Sequence, residues 1–341
     1  MRFLVFFLAT IVGLPLYANV VKVGIYGEII DQDYEYAHNA VADTVVIYAQ
    51  KDDTTQERIA RKGFLVRYKK AKGTVLISHG FMCDKYMAGL LRFVFYPDFN
   101  VMTFDFRAHG ESTQGQQCTF GRDEAHDVIA AAHFLKNHPD LKGKPLFFYG
   151  FSMGAVAGIQ GAAVQKGLFR AFVFDCPFAS TDTVVQAGLE RMKGSFLGYE
   201  FDIPGRYIFE KCAYHPYVQS FLKICLKLID TLGVYNVPTN ILPFSPAESI
   251  KKIDGPCFFI HCKQDKTVPT ESIRCLYQAC GSQHKKLWLT DGRGHFDSFF
   301  YNPERYSKKI REFLAAVLKG KLQGISVVDD DGTRRAPRKV G

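Results

Sequence analysis

The sequence predicts an α/β fold in which a mostly parallel sheet is covered by helices on both faces and carries a helical lid insertion. Short unbroken apolar runs, typical of strands buried on both faces, alternate with segments of helical period. This alternation stops after residue 175 and resumes near residue 256, and the gap is too long for an ordinary connection between a strand and a helix. The first observation predicts the sheet, and the second predicts the insertion.

The elements can be followed along the chain by their patterns. Apolar and β-branched runs bounded by charged or glycine-containing turns predict strands. Helical periods separate the later strands, and one of them ends before Pro139. The predicted strands are 20–26, 44–48, 64–68, 74–77, 101–106, 146–149, 171–175, 256–261 and 285–289, and the predicted helices are a segment ending in 90–95, then 121–138, 155–162, 270–280 and 303–318.

The segment around Ser152 predicts a sharp turn between a strand and a helix. Residues 150–154 match G-x-S-x-G, with a buried-strand pattern before them and a helix of small residues after them. The backbone at the serine of such a turn is strained, so the residues two positions to either side must be small. The turn lifts the hydroxyl clear of the sheet, and the backbone N–H of Met153 points to where an acyl oxyanion would form. The motif alone leaves a catalytic serine and an ordinary turn both open.

The insertion, placed at about 182–245, contains an amphipathic helical pattern. Two interpretations remain open. The helix packs on the main domain, or it forms a lid over an acyl pocket and contacts a membrane surface. An apolar face alone does not separate them. The residues of that face are Val218, Phe221, Leu222, Cys225, Leu228, Ile229 and Leu232.

The two ends of the chain differ from the middle. Met1 and Arg2 precede an apolar run, residues 3–17, which is followed by the small residue Ala18. This pattern predicts a signal peptide at 1–18 and export to the periplasm or beyond the cell, and the run is short for a membrane anchor. Residues 321–341 are strongly charged and are expected to be a disordered tail. The α/β domain with its insertion is therefore assigned to residues 19–320.

Composition argues against several functions. The formal net charge is +9, but Lys and Arg are scattered and no nucleic-acid-binding motif occurs, so no nucleic-acid partner is expected. The nine cysteines include no C-x-x-C pair, and no cysteine–histidine cluster has zinc-ligand spacing. Neither a metal nor a cofactor is predicted. An exported protein can pair some of its cysteines, and an odd number leaves at least one outside such pairs.

Two residues far along the chain complete a catalytic pattern with Ser152. A serine hydroxyl becomes a nucleophile when a histidine takes its proton, and a carboxylate fixes the tautomer of that histidine. Groups of this kind lie in loops at the carboxyl ends of parallel strands. Asp265 follows the predicted strand 256–261, and His295 follows the predicted strand 285–289. The order serine, aspartate, histidine is used on this architecture, so a triad of Ser152, Asp265 and His295 is predicted.

Together these motifs resemble the α/β-hydrolase superfamily over roughly residues 60–318. Within it they resemble the prolyl-aminopeptidase-like serine hydrolases and the related monoglyceride lipases and esterases. The motifs that carry the resemblance are Ser78-His79-Gly80-Phe81, the run Phe104 to Ser112, the elbow at 150–154, Asp265 with Val268-Pro269, and Gly294-His295.

The resemblance implies an α/β-hydrolase fold and a second oxyanion donor. His79 and Gly80 would open the oxyanion loop, residues 78–81, and the backbone N–H groups of Phe81 and Met153 would hold the oxyanion. One such donor can stabilise a transition state by about 3 kcal/mol.

Other polar residues compete for these roles. Asp175, at the end of the strand after the elbow helix, is the chief alternative to Asp265, because some members of the superfamily place the acid there. Structural roles are expected for the rest: His79 holds the oxyanion loop, His109 and His126 have loop and helix roles without chemistry, and Asp105 and Arg107 form an ion pair or brace the oxyanion loop.

Two hypotheses about function follow. In the first, the chain is a secreted serine hydrolase of a small-molecule ester or acyl compound, and the apolar insertion favours esters with apolar acyl chains. A peptidase acting on free amino termini is the near alternative. In the second, the chain is a non-catalytic binding protein on the same scaffold. Such proteins usually lack a triad residue or the elbow glycines, and this sequence contains all of them.

Overall fold

The computed structural model describes residues 40–112, 115–190, 193–196, 199–202, 215, 217, 237–322, 326–329 and 334–335. The signal peptide predicted at 1–18, the strand predicted at 20–26 and the apolar helical face predicted at 218–232 lie outside the described residues.

The strands of the described residues form a large sheet and a separate hairpin. In the large sheet the strand order is β1-β2-β4-β3-β5-β6-β9-β10-β11-β12, and β7 pairs with β8. The strands are β1 Ala40–Gln50, β2 Arg58–Tyr68, β3 Gly73–Ser78, β4 Phe99–Phe104, β5 Leu146–Phe151, β6 Phe172–Asp175, β7 Lys193–Phe196, β8 Tyr199–Asp202, β9 Cys257–Cys262, β10 Lys285–Thr290, β11 Ser326–Asp329 and β12 Arg334–Arg335.

The pairing between strands confirms the predicted fold class. Neighbouring strands from β4 through β3, β5, β6, β9 and β10 to β11 are parallel. The antiparallel pairs lie at the two sides of the sheet, where β1 pairs with β2, β2 with β4, and β11 with β12. At the centre of the sheet, Phe151 of β5 lies opposite Asp175 of β6, and Asp175 lies opposite Ile260 of β9. The carboxyl ends of β5, β6 and β9 therefore lie side by side.

Helices cover both faces of the sheet. Side chains alternate along the buried strands: Leu76 of β3 packs into one core, whereas Val75 and Ile77 pack into the other. The helices are α1 Lys85–Gly89, α2 Arg92–Phe95, α3 Glu124–Asn137, α4 Met153–Val164, α5 Thr181–Glu190, α6 Pro246–Ser249, a 3-10 helix Ile250–Lys252, α7 Thr270–Ala279, α8 Ser298–Tyr301 and α9 Pro303–Leu318. Residues of α3, α4 and α7 belong to the first core, and residues of α1, α2 and α9 to the second.

The carboxyl-terminal tail departs from the sequence-based expectation. Residues 321–341 are predicted to be disordered, yet β11 and β12 lie within them. The backbone of Val327 pairs with that of Leu287 in β10, and β12 pairs with β11. The physical reason is local: the β-branched residues Val327 and Val328 suit a strand, and β10 offers them an edge of unpaired backbone groups. The charged composition of the tail hid this short β-forming run.

Hydrogen bonds pin together the two ends of the long segment between β6 and β9. The backbone N–H of Thr181 donates to the carbonyl oxygen of Phe244 at 3.2 Å, and the N–H of Phe244 donates to Thr181 Oγ1 at 3.0 Å. The chain therefore leaves and rejoins the sheet region at one place, close to the boundaries of 182 and 245 given to the insertion. Among the described residues, none of the helices is both long and apolar enough to cross a bilayer.

Candidate active site

Ser152 lies between the last residue of β5 and the first residue of α4, in a backbone conformation that L-residues rarely adopt. Its φ is 52° and its ψ is −123°. A methyl group added at Gly154 would overlap the carbonyl oxygens of Ser78 and His79, and one added at Gly150 would lie 2.8 Å from the backbone nitrogen of Ala155. The small residues that G-x-S-x-G requires are therefore explained by close backbone approach on both sides of the serine.

The structure brings Ser152, His295 and Asp265 together from three strand ends. Nε2 of His295 lies 2.8 Å from Oγ of Ser152, and Nδ1 of His295 lies 2.7 Å from Oδ2 of Asp265. Because a carboxylate only accepts hydrogen bonds, Nδ1 carries the proton, and Nε2 is left to accept the serine hydroxyl. This is the geometry in which a histidine can remove the proton of a serine as it attacks.

The turn after β9 fixes the carboxylate of Asp265. Its Oδ1 accepts hydrogen bonds from the backbone N–H groups of Thr267 at 2.8 Å and Val268 at 3.0 Å, which leaves Oδ2 for His295. Burial by itself raises the pKa of this carboxyl, but the charge of His295 and its hydrogen bond outweigh burial, and the pKa of Asp265 is lowered. Asp265 is therefore held ionised and correctly oriented.

Asp175, the alternative to Asp265 as the acid of the triad, is hydrogen-bonded to a tyrosine. Its Oδ2 accepts a hydrogen bond of 2.6 Å from the hydroxyl of Tyr306 in α9, and that hydroxyl lies 2.7 Å from the hydroxyl of Tyr149. The side chain is fully buried, and burial raises the pKa of Asp175 to about 7. Asp175 thus joins a buried tyrosine network on the α9 side of the sheet, whereas Asp265 accepts the proton of His295 Nδ1.

The oxyanion loop packs directly against the serine turn. A methyl group added at Gly80 would lie 2.9 Å from the ring of Phe151 and 3.5 Å from Cβ of Ser152. His79 holds this loop, because its Nδ1–H donates to the carbonyl oxygen of Gly80 at 2.7 Å and its Nε2 accepts from the N–H of Phe106 at 3.1 Å. Burial lowers the pKa of His79 well below its ordinary value, so its ring is neutral. The loop that carries Phe81 is thereby held against the serine turn.

A buried ion pair that the sequence analysis missed anchors the chain just after the oxyanion loop. The carboxylate of Asp105 accepts hydrogen bonds from the backbone N–H of Lys85 at 2.8 Å, from Nζ of Lys85 at 2.8 Å and from the N–H of Glu111 at 2.9 Å. Nζ of Lys85 also lies 2.8 Å from Oε1 of Glu111. The start of α1 is therefore tied to the loop that follows β4.

This arrangement corrects the expected pairing of Asp105 with Arg107. Nη2 of Arg107 lies 2.9 Å from Oδ1 of Asp127 in α3, and the N–H of Arg107 also donates to Asp127. Each residue takes a partner 20 positions away along the chain. The expectation that Asp105 and Arg107 brace the oxyanion loop stays a prediction, because the contacts of Asp105 reach α1 and Glu111.

His109 and His126, the other two histidines with predicted structural roles, make contacts outside the triad. Nδ1–H of His109 donates to the carbonyl oxygen of Arg107 at 2.9 Å, and burial lowers the pKa of His109 to about 4. Nε2 of His126 lies 3.3 Å from Oδ1 of Asp53 at the surface. These contacts are structural in kind.

An apolar cluster contains a residue of the Asp265 turn and a residue of α4, the helix that follows Ser152. The aromatic ring of Phe120 stacks on that of Phe81 with centroids 4.7 Å apart, and Val268 belongs to the turn that fixes Asp265. We call this set the apolar wall. Its buried members are Val156, Phe178 and Val268, and its partly buried members are Phe120, Val184 and Phe244.

No group of three or more potential metal-ligating side chains occurs in the part of the chain that the structure describes. The site itself offers a hydroxyl, an imidazole, a carboxylate that orients the imidazole, and backbone amides.

A serine in a strained turn between strand and helix, with a histidine and a carboxylate from neighbouring strand ends of a mostly parallel sheet, defines a class of hydrolases. A family model described as "Alpha/beta hydrolase family" matches residues 75–309, which is more than half of the chain. The protein belongs to the alpha/beta hydrolase family.

Relatives by sequence carry no assigned activity. An uncharacterized protein of Bacillus subtilis, YqkD, is 29% identical over 260 residues, which cover 74% of this chain and 74% of that protein. An uncharacterized 31.7 kDa protein of Escherichia coli, from the traX-finO intergenic region, is 24% identical over 225 residues, covering 59% of this chain and 74% of that protein.

Solved structures resemble this one in fold. An esterase from Pyrococcus furiosus has a TM-score of 0.59 and 23% identity, and the match covers 82% of this chain and 93% of the esterase. An acylaminoacyl peptidase from Pyrococcus horikoshii has a TM-score of 0.54 and 16% identity, covering 82% of this chain and 42% of the peptidase. Esterases and a peptidase are thus among the structural neighbours, and at these identities the likeness concerns the fold.

Proposed function

We propose that the protein is a serine hydrolase that cleaves carboxylic esters through an acyl-enzyme on Ser152. One observation carries the proposal, namely the continuous hydrogen-bonded path from Ser152 Oγ through His295 to Asp265, with donor–acceptor distances of 2.8 and 2.7 Å. An ordinary turn serine would need neither a strained backbone nor a base with a buried, ionised partner.

The proposed reaction has two halves. Ser152 Oγ attacks the ester carbonyl while His295 Nε2 takes its proton, and Asp265 stabilises the resulting imidazolium. The backbone N–H groups of Phe81 and Met153 hold the oxyanion, and His295 then gives the proton to the departing alcohol. A water molecule, deprotonated by His295, attacks the acyl-enzyme in the same way and releases the acid.

The apolar wall supports esters of small molecules with an apolar acyl group as the substrate class. Three of its side chains are aromatic. Val268 belongs to the turn that fixes Asp265, and Val156 lies in the first part of the helix that follows Ser152. Apolar contacts of this kind reward each buried methylene of an acyl chain by about 0.8 kcal/mol. Cleavage of a peptide at its free amino terminus is the alternative. It would need a carboxylate that binds the ammonium group of the peptide.

Export and lipid contact belong to the same proposal and rest on the sequence. The pattern at 1–18 supports secretion, and the apolar face at 218–232 supports a lid that contacts a membrane surface. Packing of that face on the main domain is the other interpretation.

The decisive test is labelling by a fluorophosphonate probe, followed by assays on p-nitrophenyl esters of increasing acyl length and on aminoacyl anilides. We expect the wild-type chain to label, Ser152→Ala to lose the label, and kcat/KM to rise with acyl length over the first few carbons. A properly folded wild-type chain that fails to label, beside a control hydrolase that does, would favour a binding protein. A preference for the anilides would replace the ester by an amide and leave the triad in place.

A further inference from the structure

Two buried thiols lie against each other at the base of the segment that carries Asp265. Cys257 is the first residue of β9, and Cys280 follows the last residue of α7. Their Sγ atoms are 3.7 Å apart. Cys257 is fully buried, and Cys280 is 4% exposed. These two residues come from different elements and are 23 positions apart along the chain.

The backbone fixes both cysteines in this position. Cys257 is held in the sheet, opposite Phe172 in β6 and Lys285 in β10. Cys280 ends a helix whose Ile273 and Leu276 are fully buried in the same core, and its N–H donates to the carbonyl oxygen of Leu276 at 2.9 Å. A disulfide needs the sulfur atoms at about 2.05 Å, so the two sulfur atoms must move closer together before the bond can form.

The segment between these thiols contains the acid and its support. Asp265 lies between β9 and α7, together with Thr267 and Val268, whose N–H groups hold its carboxylate. A covalent bond between Cys257 and Cys280 would therefore close a loop around the residues that orient His295.

We propose that Cys257 and Cys280 are a disulfide-forming pair that closes the segment carrying Asp265. The thiolate of Cys280 attacks a small-molecule disulfide such as oxidised glutathione and displaces one glutathione thiolate. The thiolate of Cys257 then attacks the sulfur of Cys280 in this mixed disulfide and displaces the second. The two cysteine thiols lose two electrons and two protons, and the oxidant gains the two electrons as it becomes two molecules of glutathione.

The environments of the two sulfur atoms support this order of attack. Hydrogen bonding between the two thiols, which outweighs the effect of burial, lowers the pKa of Cys280. Burial raises the pKa of Cys257 well above its ordinary value. Cys280 is also the more exposed of the two, so the more acidic thiol is the one that an oxidant reaches first.

Cys275 provides a matched control on the same helix. It lies in α7 and is exposed, so oxidation of an accessible thiol without a neighbouring thiol will give Cys275 a glutathione adduct and no link between cysteines. The test equilibrates the full-length chain with buffers of increasing ratio of oxidised to reduced glutathione, starting from both the reduced folded chain and the reduced unfolded chain. Free thiols are then trapped with iodoacetamide and the peptides are identified by mass spectrometry.

We expect the peptides of Cys257 and Cys280 to lose alkylation together, in one two-electron transition, and a linked peptide two hydrogen masses lighter to appear. Cys275 should show at most a glutathione adduct, and Cys275→Ala should form the same link. In Cys257→Ser the link should be lost, and Cys280 should carry at most glutathione. The linked wild-type chain should unfold about 5 °C above its reduced form, because the bond restricts the unfolded chain.

The proposal is overturned if Cys257 and Cys280 both remain alkylated at the most oxidising ratio from either starting state, or if either of them links to a different cysteine. These measurements count thiols and do not depend on whether the chain hydrolyses esters.

Discussion

Replacing Asp175 by asparagine should stabilise the protein at alkaline pH and leave catalysis in place. Burial raises the pKa of Asp175 to about 7, from an ordinary value of 3.8. Between these pH values the unfolded chain has lost the proton and the folded chain has kept it. Because the unfolded state then binds fewer protons, the free energy of unfolding of the wild-type chain falls as pH rises through this interval.

The size of the effect follows from the same interval. From pH 5 to the folded pKa of about 7 the span is about two pH units, which corresponds to about 3 kcal/mol. Asparagine does not titrate, and its side-chain oxygen can still accept the hydrogen bond from Tyr306 that Asp175 accepts at 2.6 Å. The free energy of unfolding of Asp175→Asn, measured against that of wild type, should therefore increase by about 3 kcal/mol between pH 5 and pH 8.

Urea unfolding of both chains at pH 5 and pH 8 measures this difference, and ester hydrolysis at pH 8 is assayed in parallel. The reasoning about Asp175 is refuted if the stability difference is the same at both pH values. It is also refuted if Asp175→Asn loses as much activity as Asp265→Asn, because Asp175 would then be the acid that orients His295.

Three further changes have defined outcomes. Asp265→Asn should lower kcat by about 10⁴-fold in steady-state ester hydrolysis, because the imidazole loses the partner that sets its tautomer. Lys85→Met should lower the free energy of unfolding by about 3–5 kcal/mol in urea titrations, because it leaves the fully buried carboxylate of Asp105 without its cation. Gly80→Ala should lower kcat by about 10²-fold with little change in KM, because the added methyl group lies 2.9 Å from the ring of Phe151 and displaces an oxyanion donor.

Two of these changes have a control variant in the same chain, and the third has an outcome that would contradict it. Lys62 pairs with Glu111 at the surface, so Lys62→Met should cost no more than about 1 kcal/mol, and an equal loss in both lysine variants would contradict the account of the buried pair. A methyl group added at Gly89 meets no atom within 4 Å, so Gly89→Ala should leave kcat unchanged. If Asp265→Asn keeps an activity near that of wild type, the proposal that the carboxylate of Asp265 takes part in catalysis is wrong.

The sequence predicts the fold class and the set of residues that meet at the site because their signals are local. An apolar run followed by a polar residue marks a strand end, and parallel strands bring such ends to one edge of the sheet. Ser152, Asp265 and His295 each stand just after such a run. That these residues converge can be predicted without knowing the loop conformations, because the order and direction of the strands are sufficient.

Pairings between loops could not be predicted in this way. Lys85 opens α1 and Asp105 follows β4, and which cation reaches the carboxylate depends on how the chain after the oxyanion loop folds back beside β4. Arg107 is the basic residue nearest to Asp105 in the sequence and is therefore its expected partner. In the structure Arg107 pairs with Asp127 in α3 instead. The strand Ser326–Asp329 could not be predicted for a related reason. Composition does not show that the edge of β10 lies close enough to pair with this segment.

The bonds between Thr181 and Phe244 bring together the two ends of the 63-position excursion between them. Because it departs and returns at a single point, its length imposes no strain on the strands that flank it. A short turn, or a segment borrowed from another protein, could occupy the same junction while β6 and β9 stay neighbours. Under the proposed function, substrate selectivity can change with this excursion while Ser152, Asp265 and His295, which all lie outside it, keep their places.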